Sequence, residues 1–217
     1  MKLKLITVIV FILTISFQLY RPPRSSLEEI AFLDGFPVYR YQVNATTANK
    51  VNREVKRYCD KTGLDVSEKE GWNAQHLSNA FYGQEDNDLP TLIKEMSIPM
   101  TQLCKKHCLS SKNVSIMIDS KNDYWVNIYN PDHHQGAHTH INEGDKTPFY
   151  CFTYFSKYVH GLDAPLRFHP LSGAVITPEI QQGDILIFPP TLHHSVDRQK
   201  GTGPRITVSG NIYHEDI

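Results

Sequence analysis

The sequence predicts an α+β domain that is mainly β, with two helices ahead of a run of short strands. Two observations carry this. Over residues 47–63 and 90–107 apolar residues recur at helical spacing, and from residue 114 they alternate with a period of two. Gly, Pro, Asn and Asp then punctuate the chain at short intervals, as turns between strands do. Helices followed by strands fit one domain whose second half is a sandwich or barrel.

The chain opens with Lys2 and Lys4, then an uncharged apolar run from Leu5 to Tyr20, closed by Arg21, Pro22, Pro23 and Arg24. Residues 16–20 offer no small-residue cleavage site. Residues 1–24 therefore read as a signal-anchor, with a cleaved signal peptide as the alternative. The membrane contact runs through this leader, and residues 25–217 form the domain on its lumenal or extracytoplasmic side. The run is slightly short for a hydrocarbon core of roughly 30 Å. A short linker follows it.

Phe36–Val43 alternates and is rich in β-formers, which predicts a strand. Thr47 is placed as the N-cap of a helix with Val51, Val55 and Tyr58 on one face, closed by Gly63. Gly71, Trp72 and residues 79–88 read as loop. A second helix spans Pro90 to His107, with Leu92, Ile93, Met96, Leu103 and Cys104 inward and Pro99 expected to kink or break it. Strands are expected at Val114–Ile118, Tyr124–Tyr129, Pro148–Phe155, Ala164–His169, Asp184–Phe188 and Arg205–Ile212.

Composition narrows the function. Of 217 residues 21% are charged and 40% hydrophobic, enough for a core and unlike a disordered chain. Lys and Arg total 22 against 23 Asp and Glu, so the net charge is −1 and no basic excess suggests a nucleic-acid partner. Four cysteines are too few for a disulfide scaffold. Cys104 and Cys108 could pair or face the core, and Cys151 reads as a small core residue. Asn44 and Asn113 head glycosylation sequons, at a frequency near chance.

The unusual figure is eleven histidines, most of them in the second half. His138 and His140 are two apart, so on a strand they share a face and can share a metal. The apolar segment 184–188 leads through two prolines to His193 and His194, of which one faces inward. Arg205, Thr207 and Ser209 share one strand face, and an inward arginine is costly unless a carboxylate meets it. His133, His134, His160, His169 and His193 are read as solvated or turn residues.

Trp125, Asn127 and Tyr129, then His138 and His140, then Phe188, Leu192, His194 and Val196, then Pro204, Arg205 and Thr207 form a spaced series. In this series the chain resembles the 2-oxoglutarate/Fe(II)-dependent oxygenases, in particular a small subgroup found in phages and marine microbes. The resemblance covers roughly residues 36 to 212. It implies a double-stranded β-helix, or jelly-roll, with supporting N-terminal helices and one Fe(II), 2-oxoglutarate as cosubstrate and O₂. It implies His138 and His194 as metal ligands and Arg205, helped by Thr207, on the distal carboxylate of 2-oxoglutarate. Asn127 and Tyr150, or Tyr154, are weaker candidates for lining that pocket.

The chain departs from the superfamily pattern at residue 140, where an Asp or Glu is usual. Either His140 coordinates, or Glu143 or Asp145 does, or the protein supplies two ligands only. The expected activity is hydroxylation of a small-molecule or peptidyl substrate. A cupin-like metalloprotein without 2-oxoglutarate and a metal-free, membrane-tethered binding module are the other two readings.

Overall fold

The computed structural model describes residues 26–62, 72–73, 75–76, 89–118, 121–141 and 147–215. The leader, Gly63, Gly71, residues 79–88, Glu143 and Asp145 lie outside the described residues. Among the described residues no helix is long and apolar enough to cross a membrane.

Strands β1 (Glu28–Leu33) and β2 (Phe36–Gln42) pair as an antiparallel hairpin. Its two-residue turn is Asp34–Gly35, both at positive φ (52° and 86°). A primed turn of this kind requires that conformation, and an Asp-Gly pair between β-formers is its sequence signal. Residues 28–33 are thus an edge strand, not part of the expected linker.

Helix α1 (Ala45–Thr62) starts three residues earlier than expected, because Asn44 and not Thr47 is the cap. Its Oδ1 accepts from the Thr47 backbone N–H at 2.9 Å. Val51, Val55 and Tyr58 are buried as their spacing predicts. Helix α2 (Pro90–Lys106) runs unbroken through Pro99, which is buried on its inner face. The α2 N-terminus has no cap of its own, and Glu54 of α1 serves instead by accepting from the backbone and hydroxyl of Thr91. Cys104 is buried and Cys108 exposed, and both are free thiols.

Strands follow as β3 (Trp72–Asn73), β4 (Gln75–His76), β5 (Val114–Ser115), β6 (Met117–Ile118), β7 (Lys121–Asn122), β8 (Tyr124–Tyr129), β9 (His134–His138), β10 (Tyr150–Lys157), β11 (Leu166–Phe168), β12 (Asp184–Phe188), β13 (His194–Val196) and β14 (Arg205–His214). The major sheet has the order β1-β2-β12-β10-β14-β8-β4, with β5 on β14, and the minor sheet β11-β13-β9-β3. All pairings are antiparallel. The two sheets form the jelly-roll, and the helices cover the outer face of the major sheet.

The period of two divides each central strand between two cores. Tyr150, Phe152, Tyr154, Val126, Ile128, Val208 and Ile212 pack toward the helices. Cys151, Phe155, Tyr129, Leu186 and Phe188 pack between the sheets. The inner face of β8, β10 and β14 is where a site can form.

Gly210 lets β14 close against the start of β8. A Cβ there would lie 2.6 Å from the Asp123 carbonyl oxygen and 2.8 Å from Tyr124 Cβ. Gly210→Ala is expected to lower unfolding free energy by about 1–3 kcal/mol in chemical denaturation. An unchanged midpoint would show that the two strands are less tightly apposed than described.

Candidate metal centre

β9 and β13 pair so that His138 lies opposite His194 at the strand ends. β9 stops at His138, so His140 stands beyond the strand and not within it as expected. Its backbone N–H donates to the Pro190 carbonyl at 2.9 Å. Pro189 and Pro190 follow β12 and have no N–H to extend its ladder. His138, His140 and His194 gather beside them, with one nitrogen of each within 4.8 Å of the others. Among the described residues no other trio of His, Cys, Asp or Glu gathers this closely.

Each ring is oriented from behind by a carbonyl oxygen at Nδ1. His138 donates to Gly136 O (2.9 Å), His194 to Leu192 O (3.0 Å) and His140 to Asn211 Oδ1 (2.8 Å). A carbonyl can only accept, so the proton sits on Nδ1 and the Nε2 lone pair faces inward. The Nε2 atoms of His140 and His194 are 3.2 Å apart. Two bare lone pairs at that distance repel unless a cation lies between them. Imidazole nitrogens bound side by side to one metal at roughly 2.0–2.1 Å sit about 3 Å apart, so the donor set fits a divalent metal. Trp125 stacks on His140 at 5.4 Å between ring centres and limits its rotation.

Burial pushes His194 well below its ordinary pKa, and the neighbouring His138 and His140 add to that. His138 is lowered as well, again mainly by burial. Neutral imidazole is the form that ligates metals.

The same cavity ends at Arg205. It holds about 290 Å³ of atom-free space, part of it open to solvent, and is lined among others by Asn127, Gln135, Thr153, Arg205, Thr207 and Ser209. Arg205 is 1% exposed, and none of its three guanidinium nitrogens has a hydrogen-bond partner among the described residues. Its guanidinium lies 4.7 Å from the Tyr129 ring centre and 5.5 Å from that of Phe155. The Tyr129 hydroxyl donates elsewhere, to Gln135 Oε1 at 2.6 Å. A buried unpaired charge costs of order several kcal/mol. A carboxylate offers the two-oxygen acceptor that a guanidinium fork matches.

Of the residues singled out from sequence, His138, His140, His194, Arg205, Thr207 and Asn127 border this one cavity. Tyr150 does not. It has the parity of Phe152 and Tyr154, and its hydroxyl meets His107 Nε2 at 3.2 Å under α2. Tyr154 likewise turns to α1, where its hydroxyl donates to Asn52. Strand register decides this, since Tyr150 pairs with Ile212, another outward residue of β14. His193 and His160 are exposed, and His169 meets Ser195. Sequence reasoning missed Gln135, Asn211 and Asp123. Only the Asn211 spacing, two and four residues past Ser209 and Thr207, signalled an inward polar ladder.

No family model and no curated protein matches the sequence. Solved structures do match in fold. A prolyl-4-hydroxylase from Pseudomonas putida aligns over 82% of this chain and 92% of its own, at TM-score 0.60 and 13% identity. A viral collagen prolyl hydroxylase from Paramecium Bursaria Chlorella virus-1, a 2OG complex, aligns over 84% and 98%, at 0.56 and 16%. A non-heme alpha ketoglutarate dependent epimerase from nogalamycin biosynthesis aligns over 82% and 77%, at 0.64 and 11%. The chain therefore has the jelly-roll fold of the 2-oxoglutarate/Fe(II) oxygenases.

The buried histidines set a pH dependence for the metal-free protein. His194 is held neutral in the fold, while the unfolded chain takes up a proton near pH ~6.5. Its stabilising effect is complete above that pH and lost as pH falls below it. Denaturation midpoints should drop between pH 6.5 and 5, with a slope approaching ~1.4 kcal/mol per unit for this one proton. His138 and His107, also lowered by burial, act in the same direction, so the His194 share is the part removed in His194→Gln. An unchanged slope in that variant would contradict the assignment.

Proposed function

We propose that this chain is a non-haem Fe(II)- and 2-oxoglutarate-dependent oxygenase that hydroxylates a C–H bond and releases succinate and CO₂. One observation carries the proposal. Three converging Nε2 lone pairs and a buried arginine with no hydrogen-bond partner among the described residues share one small cavity. The first feature calls for a metal and the second for a carboxylate, and a ligand with a carboxylate at each end answers both. The fold shared with alpha ketoglutarate dependent enzymes supports the same ligand.

When bound, Fe(II) and 2-oxoglutarate supply the oxidising chemistry by coupling oxidative decarboxylation to reduction of O₂. The chain's own residues bind and orient. His138, His140 and His194 hold the metal, each stiffened through Nδ1. Arg205 grips the far carboxylate, and Thr207, two residues on along the same strand face, adds its hydroxyl. Asn127, Ser209 and Thr153 form a linked polar wall, with Asn127 Nδ2 donating to Ser209 Oγ at 3.3 Å and Thr153 Oγ1 at 3.1 Å from that oxygen. Leu166 and Val196 add apolar lining to the same cavity.

Charge bookkeeping favours a dianion here. Three neutral imidazoles leave a divalent metal at +2, and Arg205 adds +1. A dicarboxylate lowers that total to +1 with the described ligands alone. Hydroxylation is proposed over other outcomes because two of the neighbours bear hydroxylase names. The uncharged run after Lys2 and Lys4 supports a membrane tether, and an extracytoplasmic domain is proposed with it although Lys2 and Lys4 balance Arg21 and Arg24.

Anaerobic titration of the purified protein with Fe(II) and 2-oxoglutarate should develop a visible metal-to-ligand charge-transfer band. His138→Ala and His194→Ala should abolish it. Arg205→Met should retain iron but weaken 2-oxoglutarate binding by about two orders of magnitude, as expected for lost hydrogen bonds to a charged group. Iron uptake with no band would favour a cupin-like metalloprotein, and absence of iron a binding module.

A further inference from the structure

Behind His140 lies a second line of polar groups, none of which touches the cavity's ligand end. Asn211 Oδ1 accepts from His140 Nδ1 at 2.8 Å. The other end of the same amide, Nδ2, donates to Asp123 Oδ2 at 2.8 Å. The Tyr213 hydroxyl donates to that same carboxylate oxygen. The Cys151 thiol donates to Asn211 Oδ1 at 3.2 Å. Asn211 and Asp123 are each 4% exposed, and Cys151 is fully buried.

The order of these bonds leaves no freedom in the amide. A carboxylate oxygen accepts, so the NH₂ of Asn211 must face Asp123 and its carbonyl must face His140. The Cys151 thiol, a donor at the carbonyl end, fits that orientation and opposes a flip. His140 must then be the donor at Nδ1, with its lone pair on Nε2. The other two ligands obtain the same tautomer from backbone carbonyls, which the fold fixes. At His140 the Nδ1 partner is a side chain instead.

We propose that Asp123 and Asn211 are positioning residues that lock His140 into its metal-ligating tautomer and pass part of a buried negative charge to it. This rests on the reading of the three histidines as a metal centre. It gives the departure at residue 140 a physical meaning. Among the described residues the carboxylate on this line, Asp123, stands two hydrogen bonds out from His140, and an amide oriented by it presents an acceptor, which suits an imidazole N–H and repels a carboxylate. Hydrogen bonds of this kind fix ring orientation and raise ligand basicity.

Long-range ¹H–¹⁵N NMR of the metal-free protein, with histidine ¹⁵N-labelled, reads the His140 tautomer directly. The wild type should show His140 protonated at Nδ1 alone. Asn211→Leu should give a mixture of tautomers and weaken Co(II) binding about 10- to 100-fold. Asn211→Asp alone should also bind Co(II) weakly, because two carboxylates would then face each other. The exchange Asn211→Asp with Asp123→Asn restores a donor between 123 and 211 and should recover both the Nδ1 tautomer and Co(II) affinity within a few-fold. That recovery separates positioning from mere loss of folding. A wild-type His140 protonated at Nε2, or an Asn211→Leu protein with wild-type tautomer and affinity, would overturn the proposal. Failure of the wild type to bind Co(II) while keeping the Nδ1 tautomer would instead strike the metal reading and leave the relay standing.

Discussion

The fold is organised around a buried charge for which the described residues supply no hydrogen bond. Arg205 lies between two sheets against Tyr129 and Phe155, and among the described residues none of its nitrogens has a hydrogen-bond partner. Aromatic faces recover part of the lost solvation, of order ~2 kcal/mol when desolvated. The remainder is a standing demand for an anion at a fixed place. β14 carries that demand along one face, through Arg205, Thr207, Ser209 and Asn211, toward the histidines.

The layered architecture makes the demand affordable. Outward residues of β8, β10, β12 and β14 bury large aromatic and aliphatic side chains beneath two helices. A second apolar cluster packs between the sheets beside Arg205. Polar inner-face residues are then tolerated because they bond to one another, as Asn127, Ser209 and Thr153 do. The histidines gather where the paired ends of β9 and β13 meet and the His140 N–H bonds to the Pro190 carbonyl.

Much of this was legible in the sequence because period and spacing are local properties. The switch from helical to alternating spacing located both helices and most strands. The pair at 138 and 140, and the inward set at 205, 207 and 209, pointed to the cavity by parity alone. What was not legible depends on register between strands. Tyr150 was misplaced because its parity relative to Arg205 is fixed only by pairing with Ile212. Asp123 was invisible because 88 residues separate it from Asn211, and no spacing rule spans that distance. The β1 strand, by contrast, had a readable signal in Asp34–Gly35 that a linker assignment passed over. Pro99 shows the reverse case, in which tertiary packing holds a helix that local propensity would interrupt.

The most direct test is a crystal structure of the protein grown anaerobically with Mn(II) and 2-oxoglutarate, with the metal located by anomalous scattering. The account predicts a metal peak bonded to Nε2 of His138, His140 and His194, and a carboxylate of 2-oxoglutarate paired with the Arg205 guanidinium. A metal held elsewhere, or 2-oxoglutarate absent with Arg205 still unpartnered, would contradict it.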